Sequence, residues 1–451
     1  MTRAKSSGRV AHPLLWTLGV LVLAGAAFAG YLAFGPEPTA FAQGTRVALA
    51  NYRGTDPTGV PNELKSADLV ERGAYLTRAA DCMACHTAKD GVPFAGGRAF
   101  VLPFGTLYST NITPDIDTGI GSYSDADFLS ALHEGMGREG KKLYPAMPYP
   151  SYTYMSDADA LAIKAYLFSL KPVNASVPQN SLVFPFNQRS LMKIWSALFN
   201  SNKRYEPVVD RDAAWNRGAY LAEAMGHCGE CHTPRNLAYA LNNRQKFAGA
   251  VQAGWRAYNI TPDRSSGIGA WSDEDLVQYL SSGHAAGRDT ASGPMGEAVD
   301  DSLTHLKTSD LSAIVSYLRT VPSVATGDLP EPRATPATAA LAEVSAEARG
   351  RAVYEGACAG CHGWSGISPG LAAANLTGVR SVNDATAINV AEVVIHGGGR
   401  KTEPGPSNMP AFGDTYSDAE IASVANFVTA RFGANQSHLT AADVAKLRTQ
   451  D

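Results

Sequence analysis

The sequence predicts a mainly α-helical protein in which three tandem domains follow an N-terminal transmembrane anchor. Three observations lead to this fold class. Short motifs recur along the chain at offsets of 145 and 148 residues, which indicates repeated domains. Each recurring unit ends in apolar residues spaced three and four apart, which is the period of an amphipathic helix. An uncharged run of residues lies close to the amino terminus.

Composition sets the outer limits of this prediction. The chain has 451 residues, of which 45% are apolar and 18% charged, so packed cores are expected rather than disorder. At about 150 residues per domain, the length suits about three domains. The net charge of −4 argues against a basic nucleic-acid groove, and no nucleic-acid partner is expected. Six cysteines are too few for a disulfide-rich scaffold.

Residues 1–35 are interpreted as a cytoplasmic basic flank and a transmembrane anchor. The run Leu14–Phe34 carries no charge over 21 residues, which is roughly 31 Å of helix and close to the thickness of a bilayer core. The basic residues before it predict a cytoplasmic amino terminus. A cleaved signal peptide is the alternative, with small-residue cleavage sites at Ala27–Ala29 or Ala40–Ala42. Both interpretations export the rest of the chain.

The internal repeats divide the remainder of the chain. Arg72–Leu76 returns as Arg217–Leu221, and Asn111–Asp115 returns as Asn259–Asp263. A third unit is more divergent and keeps the Arg349-Gly350 pair. The predicted domains, called the first, second and third repeats below, span 66–172, 213–322 and 344–433.

The segments between the repeats differ in composition. The connector 173–212 carries apolar and aromatic residues between Phe184 and Phe199, which predict an amphipathic helix. This helix is expected to pack across the first two repeats, or else to dock on a membrane or a partner subunit. Residues 323–343 form a Pro- and Ala-rich linker, and the tail 434–451 contains one short predicted helix.

A Ser-Asp pair stands at the start of the last predicted helix in each repeat. The pairs are Ser156-Asp157, Ser309-Asp310 and Ser417-Asp418. Serine and aspartate cap first turns by accepting hydrogen bonds from free backbone N–H groups, so the three helices are expected to begin at these pairs.

The cysteines carry the chemistry of the chain. All six lie in three strings of the form C-x-x-C-H, one in each repeat. On one helical turn the two thiols and the histidine share a face, so the string can fasten one porphyrin by two thioether links and present an imidazole to its iron. Three covalently bound haem c groups are therefore predicted. The expected haem-binding residues are Cys82, Cys85, His86, Cys228, Cys231, His232, Cys358, Cys361 and His362.

Three other uses of a cysteine pair were considered. A redox-active C-x-x-C is expected beside a βαβ pattern, which the sequence lacks. Structural zinc needs four ligands, and no repeat supplies a second pair. A disulfide between cysteines three apart would be strained and would leave the following histidine unexplained.

Each repeat also offers a methionine as the second axial iron ligand. Met147, Met295 and Met409 each have proline or glycine next to them, which predicts that they lie in loops rather than helices. Met/His ligation raises the reduction potential and leaves no open site for oxygen or peroxide. Bis-histidine ligation is the rival, because each repeat has one further histidine that is followed by glycine and then arginine. These are His133, His284 and His396.

Longer motifs resemble a known family. The chain is similar over about 66–433 to the three-haem, membrane-bound cytochrome c subunits of bacterial alcohol, aldehyde, gluconate and sorbitol dehydrogenase complexes. The motifs that carry this resemblance are Phe94–Gly97, Pro103–Thr106, Tyr108–Asp115, Tyr144–Tyr149, Gly226–Asn236 and Phe184–Arg189.

The resemblance implies three class I cytochrome c domains, each with a His/Met pair on the iron: His86 with Met147, His232 with Met295, and His362 with Met409. It places the haem domains on the periplasmic side of the bacterial inner membrane. The implied partners are a catalytic dehydrogenase subunit of quinoprotein, flavoprotein or molybdenum type, a small subunit, and ubiquinone as electron acceptor.

Two other classes of function compete with electron transfer. A haem enzyme of peroxidase type would leave one distal site open. A membrane-anchored redox sensor would need an output domain, for which the tail after Phe432 is too short. The sequence contains no nucleotide-binding glycine motif and no hydrolase motif, so no catalytic residues are assigned.

Overall fold

The computed structural model describes residues 16–21, 23–25, 30, 35–327, 348–400 and 407–449. Most of the predicted linker 323–343 and parts of the predicted anchor lie outside these residues. Among the described residues, no helix is both long and apolar enough to cross a bilayer. Residues 16–21 and 23–25 are helical, and the carbonyl of Pro36 accepts a hydrogen bond from Asn243 of the second repeat.

The first repeat is mainly helical, as predicted. Its helices are Leu69–Ala79, Cys82–His86, Asp125–Glu134, Tyr149–Tyr152 and Asp157–Ser169. A small antiparallel sheet lies to one side, with Gly105–Tyr108 in the centre, Ala99–Leu102 on one edge and the connector strand Ser181–Leu182 on the other. The sheet thus ties the connector to the first repeat.

The other two repeats also begin with a helix, continue with the short helix of the cysteine string and end with a long helix, but the hairpin of the third comes after its helix Ile388–His396. The helices of the second are Ala213–Tyr220, continued by a π-helical turn Leu221–Met225, then Gly229–His232, Asp273–Ser282, Gly293–Asp301 and Thr308–Leu318. Its two hairpins pair Ala250–Gln252 with Trp255–Ala257, and His284–Ala285 with Asp289–Thr290.

The third repeat has the helices Ala348–Val353, with a π-helical turn Tyr354–Cys358, then Ala359–His362, Arg380–Asn383, Ile388–His396 and Asp418–Phe432. Its hairpin pairs Gly398–Arg400 with Ser407–Met409. The short helix predicted in the tail is present as Ala441–Leu447; Thr440 caps it, and it buries Val444.

The Arg-Gly pair that marks each repeat has a packing role. A Cβ atom built on Gly73, Gly218 or Gly350 would lie about 2 Å from a carbonyl oxygen of the last helix of the same repeat. No side chain fits in that space. Glycine therefore lets the first and last helices of each repeat cross in direct backbone contact.

The predicted serine caps are confirmed in the first and third repeats and wrong in the second. Ser156 and Ser417 accept hydrogen bonds from the third backbone N–H of their helices. The last helix of the second repeat instead begins at Thr308, so that Ser309 and Asp310 lie inside its first turn. Asp310 is taken up by the Arg217 guanidinium, with an N–O distance of 2.7 Å, and so is not available as a cap.

The repeats differ in how they join. The first and second share one apolar cluster that includes Leu76, Ile163, Leu221 and Ile314. The third has a separate cluster around Tyr354 and further apolar residues.

Polar contacts join the second and third repeats. Buried Asp384 accepts a hydrogen bond from the Arg256 guanidinium at 2.6 Å, and Asp300 pairs with Arg400 at 2.9 Å.

The connector forms a helix at Leu191–Phe199, as predicted, although Phe184 and Phe186 lie in the turn before it. The indole N–H of Trp195 donates to the carbonyl of Ala238 in the second repeat at 2.8 Å. The Trp195 ring also meets Tyr149 of the first repeat edge to face. One side of this helix therefore packs across the first two repeats.

Candidate functional site

The three C-x-x-C-H strings adopt one common shape. Each lies on a short helical turn: Cys82–His86, Gly229–His232 with Cys228 as its cap, and Ala359–His362 with Cys358 as its cap. All six cysteines are free thiols, and each is at least partly exposed. The geometry leaves both sulfur atoms of each string available for bonding.

The thiols are accessible, yet dense protein surrounds them. Removal from bulk water raises the pKa of Cys82 and of Cys228 to about 12, and that of Cys231 to about 11. An accessible side chain in dense surroundings is one that lines a recess. A raised pKa keeps the sulfur protonated, which is opposite to the lowered pKa of redox-active cysteine pairs.

Each string histidine is held by the same hydrogen bond. Nδ1 lies 2.6 Å from a backbone carbonyl oxygen in all three cases: Thr110 for His86, Tyr258 for His232 and Ala374 for His362. A carbonyl only accepts, so Nδ1 carries the proton and Nε2 keeps its lone pair.

Burial also lowers the pKa of each of the three imidazoles, which favours the neutral form. A neutral imidazole oriented by an outer hydrogen bond is the state in which histidine binds a metal. The residues of the strings therefore fit a covalently attached haem.

The carbonyls that hold the histidines precede an Asn-x-Thr sequence in every repeat. Asn111, Asn259 and Asn375 directly follow Thr110, Tyr258 and Ala374. In the first two repeats the asparagine Oδ1 accepts hydrogen bonds from the threonine two residues later, which fixes the turn. Sequence analysis used this motif only to align repeats. Its recurrence once after each string, 25, 27 and 13 residues beyond the string histidine, was the signal for its role.

The structure also bears on the other uses of a cysteine pair. Within the described part of the chain, no cluster of three or more His, Cys, Asp and Glu residues could hold a metal ion. The strands that pair there form small antiparallel sheets. Neither structural zinc nor a thioredoxin-like βαβ unit accounts for the strings.

The candidate axial methionines are partly exposed, but only one lies in a loop. Met147 lies in a turn, as expected. The loop prediction is wrong for Met295, which lies in the first turn of the helix Gly293–Asp301, and for Met409, which ends the strand Ser407–Met409. Pro294 is tolerated in that helix because backbone N–H groups of a first turn have no intrahelical partner.

The rival histidines are enclosed to different extents. His133 and His284 each have a buried Nε2 without a hydrogen-bond partner among the described residues. The Nδ1 of His284 lies 2.9 Å from the Thr290 hydroxyl, and His396 pairs with Glu392 at 3.0 Å. His284 and His396 are themselves partly exposed, as the three methionines are, so exposure does not separate the two ligand sets and methionine ligation stays a prediction.

The first and second strings lie beside one another. Tyr152 donates its hydroxyl to the carbonyl of Ala80 at 2.6 Å, and its ring meets His227 at 5.4 Å. Ala80 lies two residues before Cys82, and His227 directly precedes Cys228. Tyr152 thus contacts residues just before both the first and the second string.

The second string is also linked to the third repeat. Tyr258, whose carbonyl holds His232, has its hydroxyl 3.2 Å from the Asp384 carboxylate. Thr290 of the second repeat donates to the carbonyl of Ala373, the neighbour of the residue that holds His362. The second repeat therefore contacts structures that orient the second and the third histidine.

Comparison with known proteins gives two matches to family profiles and several relatives that are similar over most of the chain. Residues 70–171 match the cytochrome c family, and residues 345–428 match the family described as cytochrome c oxidase, cbb3-type, subunit III. The chain is 39% identical over 421 residues to the fructose dehydrogenase cytochrome subunit of Gluconobacter japonicus, covering 87% of this chain and 85% of that protein.

Two further relatives are similar over comparable lengths. The gluconate 2-dehydrogenase cytochrome c subunit of Pantoea cypripedii is 38% identical over 405 residues, covering 85% of this chain and 90% of the relative. The cytochrome c subunit of the quinone alcohol dehydrogenase of Gluconobacter oxydans strain 621H is 37% identical over 399 residues, covering 84% and 82%.

Proposed function

The chain belongs to the family of cytochrome c subunits of dehydrogenase complexes, and on that premise we propose that it carries three haem c groups and passes electrons from its catalytic partner to membrane ubiquinone. Family membership makes it an electron-transfer subunit rather than the catalytic subunit, with covalently bound haem c. The observation that carries the number three is the histidine-to-carbonyl hydrogen bond, repeated at 2.6 Å in every string.

The residues have separate roles in this proposal. The two cysteines of each string would hold the haem covalently, and the histidine Nε2 would bind its iron. Met147, Met295 and Met409 are proposed to complete the axial pairs. The bound iron supplies one-electron oxidation and reduction. The protein keeps each imidazole neutral and oriented through Thr110, Tyr258 or Ala374.

The second repeat is proposed to lie between the other two in the electron path. Arg98 joins the first string to the Met295 helix, since it donates to the carbonyl of Ala84 and to Glu297, both at 2.7 Å. The same helix ends near Asp300, which pairs with Arg400 of the third repeat. One helix of the second repeat thus touches both neighbours.

The proposal also covers the partner subunits, the electron acceptor and the location of the chain. A catalytic dehydrogenase subunit is the partner of this family. We propose in addition a small subunit, ubiquinone as acceptor, and a place on the periplasmic side of the bacterial inner membrane. The uncharged run Leu14–Phe34 with its basic flank supports a membrane anchor, and Trp16 and Leu23 in it are exposed.

Counting haem per polypeptide tests the proposal. Pyridine haemochrome absorbance, calibrated against chain concentration, is expected to give three haems per polypeptide. The intact mass is expected to exceed that of the amino acids by the mass of three haem groups. Replacing Cys228 and Cys231 together by alanine should lower the count to two. A wild-type count of two would contradict the proposal, as would an unchanged count in the variant.

A further inference from the structure

The connector carries a group of apolar side chains on the surface. Exposure reaches 77% for Phe184 and 61% for Ile194. We call this group the connector patch; its members are Val183, Phe184, Phe186, Leu191, Ile194 and Leu198. Leu191, Ile194 and Leu198 follow one another at spacings of three and four, so they share one side of the helix Leu191–Phe199.

The helix cannot turn the patch inwards, because its opposite side is fixed. Trp195 donates to the carbonyl of Ala238, and buried Ser196 accepts a hydrogen bond from the Lys142 ammonium at 3.0 Å. Asn200, which ends the helix, donates to the carbonyl of His133 at 2.8 Å. The body of the protein thus holds the patch facing outwards. Large apolar side chains exposed together on one side of a helix mark an interaction site.

The charge around the patch favours an anionic partner. Of the six basic residues between Asp159 and Glu206, Lys164, Lys203 and Arg204 pair with acidic side chains from other segments, whereas Lys193 in the connector helix has no acidic side chain within 4 Å among the described residues. Lys193 stands next to Ile194 and is exposed. An apolar helix face with lysine or arginine beside it is the pattern of helices that lie in the surface of an anionic bilayer.

The end of the predicted anchor lies near the same segment. Pro36 and Glu37 directly follow the run 14–34 and its neighbour Gly35. The carbonyl of Pro36 accepts a hydrogen bond from Asn243 at 3.1 Å, and Glu37 pairs with Lys203. Lys203 lies four residues beyond the end of the connector helix at Phe199. A bilayer entered by the amino-terminal run would therefore lie close to the connector.

We propose that the connector patch lies in the interfacial layer of the anionic bilayer that holds the amino-terminal run. Apolar burial of Phe184, Ile194 and Leu198 supplies the attraction, and Lys193 adds electrostatic attraction to anionic headgroups. Two attachments, unlike one, fix the orientation of the first repeat relative to the membrane. The inference rests on the proposed membrane location.

Photo-crosslinking to lipid tests the proposal on the full chain with its haems attached. The protein is reconstituted in vesicles of phosphatidylcholine and phosphatidylglycerol that contain a phospholipid with a photoactivatable acyl chain, and adducts are mapped by mass spectrometry. Adducts are expected on 183–198 and on 14–34. They should decrease on 183–198 when phosphatidylglycerol is left out.

Charge substitution gives the matched comparison. Replacing Ile194 and Leu198 together by glutamate should lower adducts on the connector by about tenfold, since two apolar side chains leave the lipid, while adducts on 14–34 remain. Val251, which is 53% exposed in a hairpin of the second repeat, is the control, and Val251→Glu should change neither set. Haem absorbance checks folding, and the milder I194A/L198A pair should give a smaller loss.

The possible outcomes separate the two proposals. Lipid adducts on 14–34 alone would overturn membrane docking of the patch. Loss of the lipid adducts on 183–198 when the catalytic subunit is added would assign the patch to that subunit instead. An absence of adducts from both segments would overturn the membrane location as well. The haem count is independent of these results.

Discussion

Tyr75 of the first repeat donates its hydroxyl to the carboxylate of Asp310 in the second repeat at 2.6 Å. The reverse pair is also present, because Tyr220 of the second repeat donates to Asp159 of the first at 2.6 Å. Both tyrosines come from the same Arg-Gly-Ala-Tyr-Leu motif, and both aspartates lie early in a closing helix. The duplicated motif therefore joins the two repeats by a reciprocal exchange.

We expect the two hydroxyls to differ in their contribution to stability. Asp310 keeps two hydrogen bonds from Arg217 when Tyr75 is replaced by phenylalanine, so Tyr75→Phe should cost about 1 kcal/mol. After Tyr220→Phe, the Oδ2 of Asp159 would keep only the hydrogen bond from the N–H of Gly59 among the described residues. This substitution should therefore lower the free energy of unfolding by about 2–3 kcal/mol. Urea unfolding of each variant measures the difference, and equal losses would contradict this asymmetry.

Close helix crossing at Gly218 predicts a clash on substitution. A Cβ there would lie 1.9 Å from the carbonyl oxygen of Ala313, so Gly218→Ala must push two helices apart and should lower the free energy of unfolding by about 1–3 kcal/mol. Gly370 has no atom within 4 Å of its Cβ position, which makes Gly370→Ala the control. A stable Gly218→Ala variant would show that the crossing is not tight.

Axial ligation in the second repeat is tested by Met295→Leu. Loss of the thioether should remove the contribution of that haem to the far-red band of ferric Met-ligated haem. Met155, which is fully buried in the shared core, provides the control, and Met155→Leu should leave the band intact. An unchanged spectrum in Met295→Leu would move the ligand assignment to His284.

Filled axial positions predict that the ferrous protein does not bind carbon monoxide. With both sides of every iron occupied, the Soret spectrum should stay the same after exposure to the gas. The Met295→Leu variant is the positive comparison, since it should open one site and bind. Immediate binding by the wild-type protein would favour a haem enzyme with one open distal site.

Asp289 should make stability depend on pH. Burial raises its pKa to about 6, although Arg380 acts in the opposite direction. The native state therefore binds more protons than the unfolded state between about pH 4 and 6, and stability is lost as pH rises through this window. Asp289→Asn should raise the free energy of unfolding by up to about 3 kcal/mol at neutral pH and leave it unchanged near pH 4.

Asp263 offers a comparison of opposite sign. Hydrogen bonds from Ser266 and Ser265 hold its pKa down at about 2, so its contribution to stability is present above about pH 4 and is lost as pH falls towards 2. Asp263→Asn should therefore be less stable than wild type at neutral pH, with the difference closing in acid. Thermal unfolding across pH measures both variants, and parallel profiles would contradict both assignments.

Local features of the fold were predictable where a short stretch of chain decides them. Ser156 and Ser417 cap helices as predicted because a cap needs only residues three positions away. Ser309 was expected to do the same, but Arg217, distant in sequence, takes up Asp310 and the helix starts earlier. The helix around Met295 was also missed, since proline marks a loop or a first helical turn equally well. Met409 was missed because its strand exists only by pairing with Gly398–Arg400.

The sequence by itself determined the three C-x-x-C-H strings, the duplication and the apolar connector helix, because each depends on residues close together in the chain. Only the tertiary structure decided which carbonyl holds each histidine, how Tyr75 and Tyr220 cross between repeats, and which side of the connector helix stays exposed. Those contacts join residues that lie 12 to 235 positions apart. Spacing along the chain carries no information on such distances until the helices have packed.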